Sequence, residues 1–178
     1  MLSSLFVIFA SAIIPLLCYH NQRMRVLGIE TSCDETAASV VEDGQRLLSN
    51  VVASSMDLHV QYGGVVPEIA ARSHIESINP VIEQALAEAE CSWDDIDAIA
   101  VTYGAGLGGS LLIGVLAART LAITKQKPLF ACNHVVGHVF ANFLTSAKDS
   151  PALADYNFPP SPRPSRCWLL SSRVATAS

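Results

Sequence analysis

Apolar positions follow two rhythms along this chain. From Met24 to Glu30 they are nearly continuous (Val26, Leu27, Ile29), which predicts a strand; Ala37 to Glu42 predicts a second and Leu47 to Ser54 a third. Asp43-Gly44 between the last two is a hairpin signal, because both residues tolerate left-handed backbone. From Pro67 the rhythm changes. Ile69, Ile75, Ile78, Val81, Ile82, Ala85, Leu86 and Ala89 form a stripe at helical spacing that ends near Glu90, with Pro67 suited to the first helical position. A strand over Ala98 to Thr102, a helix over Leu111 to Lys125 and a buried strand over Pro128 to Cys132 follow. Asn133 then caps a helix with Val135, Val139 and Phe143 as its apolar positions. Hairpin-linked strands followed by alternating helices and strands predict an α/β fold with a mixed sheet.

The two ends break this pattern. Residues 1–23 open with an apolar stretch interrupted by Pro15, with no Lys or Arg before it. It is short for a membrane span, and lacks both the basic start of a signal peptide and the arginines of a mitochondrial presequence. Because Met24 leads straight into the first strand, the favoured reading is an extension or a mis-called start, with a weak anchor as the alternative. The expected folded domain is 24–150. The tail, 151–178, is rich in Pro and Ser and has no usable period.

Composition narrows the class. A chain of 178 residues, half of them apolar, can bury one core. Its net charge of −5 argues against gripping a phosphate backbone unaided, so any RNA partner would need positive field from another protein. Five scattered cysteines without a C-x-x-C pair fit neither a disulfide framework nor a zinc ribbon, and point to a reducing compartment such as the cytoplasm.

Candidate chemistry sits in three places. His134 and His138 are four apart on the last helix, so both imidazoles can face one metal ion just beyond the carboxyl end of a strand. Val135 stands where a zinc protease needs Glu, so a third ligand must come from elsewhere; spacing alone equally allows two solvated side chains at a helix start. Thr31-Ser32-Cys33-Asp34-Glu35-Thr36 packs two carboxylates, a thiol and hydroxyls into one turn between strands, a density that suits a phosphate or metal. Glu68, Arg72 and His74 lie near the start of the long helix, where a functional surface could form. Finally, Tyr103 to Ser110, with Gly104, Gly106, Gly108 and Gly109, leads into a helix N-terminus suited to an anion. Gly104, Gly106 and Gly109 satisfy G-x-G-x-x-G, a weak dinucleotide signal because the next strand ends in Cys132-Asn133 with no acidic residue for a ribose; the lysine and Ser/Thr of a P-loop are missing, and close helix packing at Gly114, Ala117 and Ala118 explains glycine there equally well.

Four blocks taken in order are Gly28-Ile29-Glu30-Thr31-Ser32-Cys33-Asp34-Glu35-Thr36, Tyr62-Gly63-Gly64-Val65-Val66-Pro67-Glu68-Ile69-Ala70, the glycine loop, and Asn133-His134-x-x-Gly137-His138. Together they resemble the tRNA N6-adenosine threonylcarbamoyltransferase family, once classed as O-sialoglycoprotein endopeptidases. The resemblance covers Met24 to about Asn142. It implies an actin-like ATPase (ribonuclease H-like) fold of two lobes, of which this chain carries mainly the first. It implies that His134 and His138 hold one divalent metal ion, iron or zinc. The implied reaction moves threonylcarbamoyl from its adenylate to N6 of an adenosine in the tRNA anticodon loop, with Asp34 and Glu35 as catalytic candidates. Implied partners are tRNA, threonylcarbamoyl-adenylate, a paralogous scaffold subunit and an ATPase subunit.

Departures from the family pattern are Ala105 for a common proline and Val136 for a common Glu. The family's Ser-Gly-Gly-His loop, second lobe and third metal ligand, an aspartate, have no counterpart here. Codons for Ser172 to Ser178, read in a shifted frame, admit Ser-Gly-Gly-His-Ser-Glu, so a frameshift in the tail is one expectation and an inactive chain another. A half lobe should also expose apolar surface where its partner lobe belongs. Two alternatives stay open: a non-catalytic scaffold lobe of the same pathway, and a small-molecule O-carbamoyltransferase with the same histidine spacing.

Overall fold

A computed structural model describes residues 23–141 and 144–146; the tail and all of the N-terminal extension except Arg23 lie outside the described residues. The strands are β1 (Arg25–Glu30), β2 (Glu35–Glu42), β3 (Arg46–Ser54), β4 (Ala98–Gly104), β5 (Leu129–Asn133) and the short β6 (Thr145–Ser146). The helices are α1 (Met56–His59), α2 (Pro67–Glu88), α3 (Gly108–Thr124) and α4 (His134–Ala141). The strands form one mixed sheet in the order β5-β4-β1-β2-β3-β6. β1 runs antiparallel to β2 and parallel to β4, and β4 runs parallel to β5. The α/β class and mixed sheet expected from the sequence are therefore present.

The hairpin between β2 and β3 turns at Asp43 and Gly44, both with positive φ (51° and 71°), as that dipeptide predicts. Strand alternation divides the core in two. Leu27, Ile29, Ala38, Val40, Ile99 and Val101 face α2 and α3, whose Ile78, Val81, Ile82, Ala85 and Ala118 complete the larger cluster. Val26, Ala98, Ala100 and Cys132 point to the opposite face, where Ala141 of α4 and Leu144 cover them. Glu30 has the same parity as Val26. The parallel register of β1 and β4 carries Thr102 to its side, so both polar groups emerge toward α4.

Several boundaries and faces differ from expectation for local reasons. α2 begins at Pro67 as expected, and Val60–Tyr62 before it forms a 3-10 turn closed by Gly63 at φ +71°. α3 starts at Gly108 rather than Leu111, because its first turn is built of Gly108, Gly109 and Ser110, which carry no apolar signal. β5, expected to be buried, is the edge strand, and only Cys132 in it is buried. Val135 and Val139, expected to face the core, are about half exposed, because α4 turns Gly137 and Ala141 inward instead. Ile75, expected in the α2 stripe, is also exposed, as are Leu112, Leu116 and Ile123 on the outer side of α3.

Candidate metal centre

The parallel strands β1, β4 and β5 all end on the same edge of the sheet, and antiparallel β2 begins there. This edge gathers Glu30 to Ser32, Thr102 to Gly109, His134 and Glu35, the position at which open α/β sheets usually bind ligands.

Asn133 caps α4: its Oδ1 accepts from the backbone N–H of Val135 (3.0 Å) and of Val136 (3.3 Å). The helix so begun places His134 and His138 one turn apart with their Nε2 atoms 3.1 Å from each other and the rings edge to face, interplanar angle 88°. Two imidazole nitrogens bound at about 2.1 Å to a tetrahedral zinc would stand about 3.4 Å apart, so the pair is already close to chelating geometry. His138 is exposed, whereas His134 turns its other nitrogen, Nδ1, toward the sheet. Partial desolvation of the ring first, then the neighbouring His134, hold the His138 imidazole below its ordinary pKa and favour the neutral form that metal ligation requires.

Behind His134 stands Glu30, 1% exposed. Its Oε1 accepts from the Ser32 backbone N–H (2.6 Å); its Oε2 accepts from the Thr102 hydroxyl and lies 3.4 Å from His134 Nδ1. The Ser32 hydroxyl also reaches Nδ1, at 3.1 Å. Burial opposes ionisation of Glu30, but the hydrogen bonds from His134, Ser32 and Thr102 outweigh it and hold the carboxyl below the usual range. Cys132, immediately before this segment, is not a ligand candidate. Burial pushes its thiol up to about 12, so it stays protonated as part of the core. Among the described residues no group of three or more His, Cys, Asp or Glu could hold a metal ion, so an ion at this edge would take two donors from the histidine pair and need the rest from elsewhere.

The acidic turn is held by its backbone. Ser32 O accepts from the Leu107 N–H of the glycine loop (2.7 Å). Cys33 O accepts from the Ser110 hydroxyl of α3 (3.2 Å) and from His74 Nε2 of α2 (3.1 Å), while Asp34 O takes both the N–H and hydroxyl of Ser55 (2.9 and 2.7 Å). Three successive carbonyls are thus anchored by different elements, and the Asp34 and Glu35 side chains stay at the sheet edge. Glu35 Oε2 is buried and meets no hydrogen-bond donor among the described residues. Burial first, then the charges of Asp34 and Glu30, raise its pKa to about 6.

That shift has a testable sign. A raised carboxyl pKa means the native state binds the proton more tightly than the unfolded chain. The stabilisation is present below about pH 4.5 and is lost as pH rises through about 6. Glu35→Gln, which removes the desolvated charge, is expected to raise stability at pH 8 by about 1 kcal/mol after allowance for solvent screening, and to change it little at pH 4. Urea melts at the two pH values read the difference; an equal effect at both would reject it.

Of the four loop glycines, Gly106 has a packing reason: a Cβ there would enter the Ser32 backbone and stand 2.7 Å from Ser32 Cβ. Gly109 would only touch Ala71 at 3.5 Å, and Gly104 and Gly108 face open space. Gly114 packs against Thr31, as close helix approach predicts. Glu30 and Thr102 are site members that the sequence motifs alone do not single out. The available signal is a charged residue closing an apolar strand on the parity that faces the histidine helix.

The class this defines is an α/β lobe with a histidine pair, a buried carboxylate behind it and a glycine-rich helix entry gathered at the strand ends, the edge where open α/β sheets usually bind ligands. The family model for tRNA N6-adenosine threonylcarbamoyltransferase matches residues 46–156, and the chain belongs to that family. The protein of that name from Caldicellulosiruptor bescii is 55% identical over 130 residues, 73% of this chain and 39% of that one. The one from Dehalococcoides mccartyi strain CBDB1 is 58% identical over 121 residues, 68% of this chain and 37% of that one. This chain therefore spans about two-fifths of the length of these curated relatives. Among solved structures, YeaZ from Pseudomonas aeruginosa matches with a TM-score of 0.46 at 20% identity, over 62% of this chain and 43% of that one. No helix among the described residues is long and apolar enough to cross a membrane.

Proposed function

We propose that this chain is the metal-binding lobe of an enzyme that transfers threonylcarbamoyl from its adenylate to N6 of an adenosine in the tRNA anticodon loop, and that alone it does not complete the reaction. The observation that carries the reading is the convergence of the His134 and His138 Nε2 atoms, 3.1 Å apart, at the carboxyl edge of the sheet. A divalent ion, iron or zinc, bound there would act as a Lewis acid toward the carbonyl and phosphate oxygens of the adenylate.

The chain's own residues then have defined tasks. In the transfer, the new bond joins N6 to the carbonyl carbon, the bond from that carbon to the adenylate oxygen breaks, and AMP leaves. Glu35, whose pKa is raised to about 6, is suited to take the proton lost by N6 near neutral pH, and Asp34 sits beside it in the turn. Gly104 at the end of β4 and Gly108 at the start of α3, which face open space, let a phosphate approach the backbone of the loop and helix entry. The net charge of −5 supports a division of labour in which partner subunits of the modification machinery supply the positive field for tRNA.

Metal binding is the direct test. Titration of the 178-residue chain with Co²⁺, followed by absorption, and with Zn²⁺, followed by calorimetry, is expected to give one ion per chain. The His134→Ala, His138→Ala double variant should bind at least about 100-fold more weakly. Equal binding by the two proteins, or none by either, would overturn the reading.

A further inference from the structure

The reaction assigned above gives Glu30 no role, yet it is the most buried carboxylate at the site. Resting on that metal-centre reading, we propose that Glu30 is a positioning residue: it sets the tautomer and ring orientation of His134 so that Nε2, not Nδ1, presents the lone pair to the ion.

Donors and acceptors around Nδ1 decide the tautomer. An ionised carboxylate only accepts, and Glu30 Oε2 faces His134 Nδ1 at 3.4 Å. The Ser32 hydroxyl at 3.1 Å can donate or accept, so it adapts to either tautomer. Only a proton on Nδ1 satisfies both neighbours; a lone pair there would point at the carboxylate oxygen. With Nδ1 protonated, neutral His134 has its lone pair on Nε2, facing His138 Nε2. Glu30 is itself held in place. Ser32 N–H fixes one oxygen and the Thr102 hydroxyl of β4 the other, so the carboxylate cannot turn away. A carboxylate bonded to the remote nitrogen of a ligating imidazole also raises the basicity of the metal-facing nitrogen. The parity of β1 places the group here: Glu30 follows Val26 and Gly28 on the face that α4 covers.

A buried acid could instead serve only to tie β1 to β4 through Thr102, and the test separates the two roles. Glu30→Gln keeps the size and an amide oxygen that can still accept from the Thr102 hydroxyl, and removes the obligate acceptor that faces Nδ1. The expected result is Co²⁺ affinity about 10- to 100-fold lower for Glu30→Gln, the variant still melting cooperatively; an acid that only tied the strands would leave the affinity within about threefold of wild type. Long-range ¹H–¹⁵N spectra of the metal-free chain, assigned with His134→Ala, should show His134 protonated at Nδ1 in wild type and losing that preference in Glu30→Gln. Wild-type affinity in Glu30→Gln, or an Nε2-protonated His134 in the wild type, would overturn the proposal. Should no form of the chain bind metal, the metal-centre reading fails, and the tautomer spectrum still decides the role of Glu30.

Discussion

Replacing His74 by alanine is expected to lower the unfolding free energy by about 3–4 kcal/mol, through the combined loss of a buried ring and two hydrogen bonds. His74 is 0% exposed. The Cys33 carbonyl can only accept, so Nε2 carries the proton at 3.1 Å, and Nδ1 accepts from the Thr36 hydroxyl at 2.7 Å. One imidazole thus ties α2 to Cys33 in the middle of the acidic turn and to Thr36 in the first residues of β2. Truncation leaves a cavity and an orphaned Thr36 hydroxyl, while Cys33 O keeps its bond from Ser110. His74→Phe should recover roughly the cavity part of the loss and not the hydrogen-bond part.

The sign with pH is fixed by the same geometry. Burial holds the His74 pKa below its ordinary value, against the smaller opposing effects of the Cys33 carbonyl and the Glu30 and Asp34 charges. A depressed pKa means the unfolded chain binds the proton first. The stabilising contribution is complete above about pH 6.5 and is lost as pH falls, by at most about 1.4 kcal/mol per unit. Glu35 has the opposite slope over the adjoining range, so the comparison is best made in a Glu35→Gln background. Urea melts between pH 8 and 5 should show the stability gap between the parent protein and its His74→Phe variant closing toward acid; a constant gap would reject the neutral, doubly bonded imidazole.

How much of this is legible in the sequence depends on whether a residue's neighbours lie close along the chain. The β2–β3 hairpin, the Pro67 start of α2 and the Asn133 cap of α4 are local, and each is readable. The two histidines share a face because four residues make about one turn of helix, which spacing alone conveys. Glu30 stands within a motif yet shows no role there, because its partners Thr102 and His134 come from other strands and helices and meet it only through the parallel register of β1, β4 and β5. Val135 and Val139 mislead because α4 is short and packs through Gly137 and Ala141, so its apolar side chains are not its buried ones. His74 reads as a member of a helix surface; its burial follows from the turn that folds over it.

Gly114→Val is expected to destabilise the chain by about 3 kcal/mol or more, because the first atom added already collides. A Cβ at Gly114 would stand against Thr31 Oγ1 and 3.3 Å from Thr31 Cγ2. Thr31 cannot retreat: it is fully buried, and its hydroxyl donates to Ser110 O at 2.8 Å. Gly106→Ala should act similarly, since the obstruction there is the backbone of Ser32, whose hydroxyl lies on His134. By contrast Gly104→Ala and Gly108→Ala, with open space before them, should change stability by no more than about 1 kcal/mol. Chemical melts of the four variants test this division. If Gly106→Ala and Gly108→Ala were equally benign, the close docking of α3 on the acidic turn would be wrong, and with it the arrangement that holds Ser32 against the histidine pair.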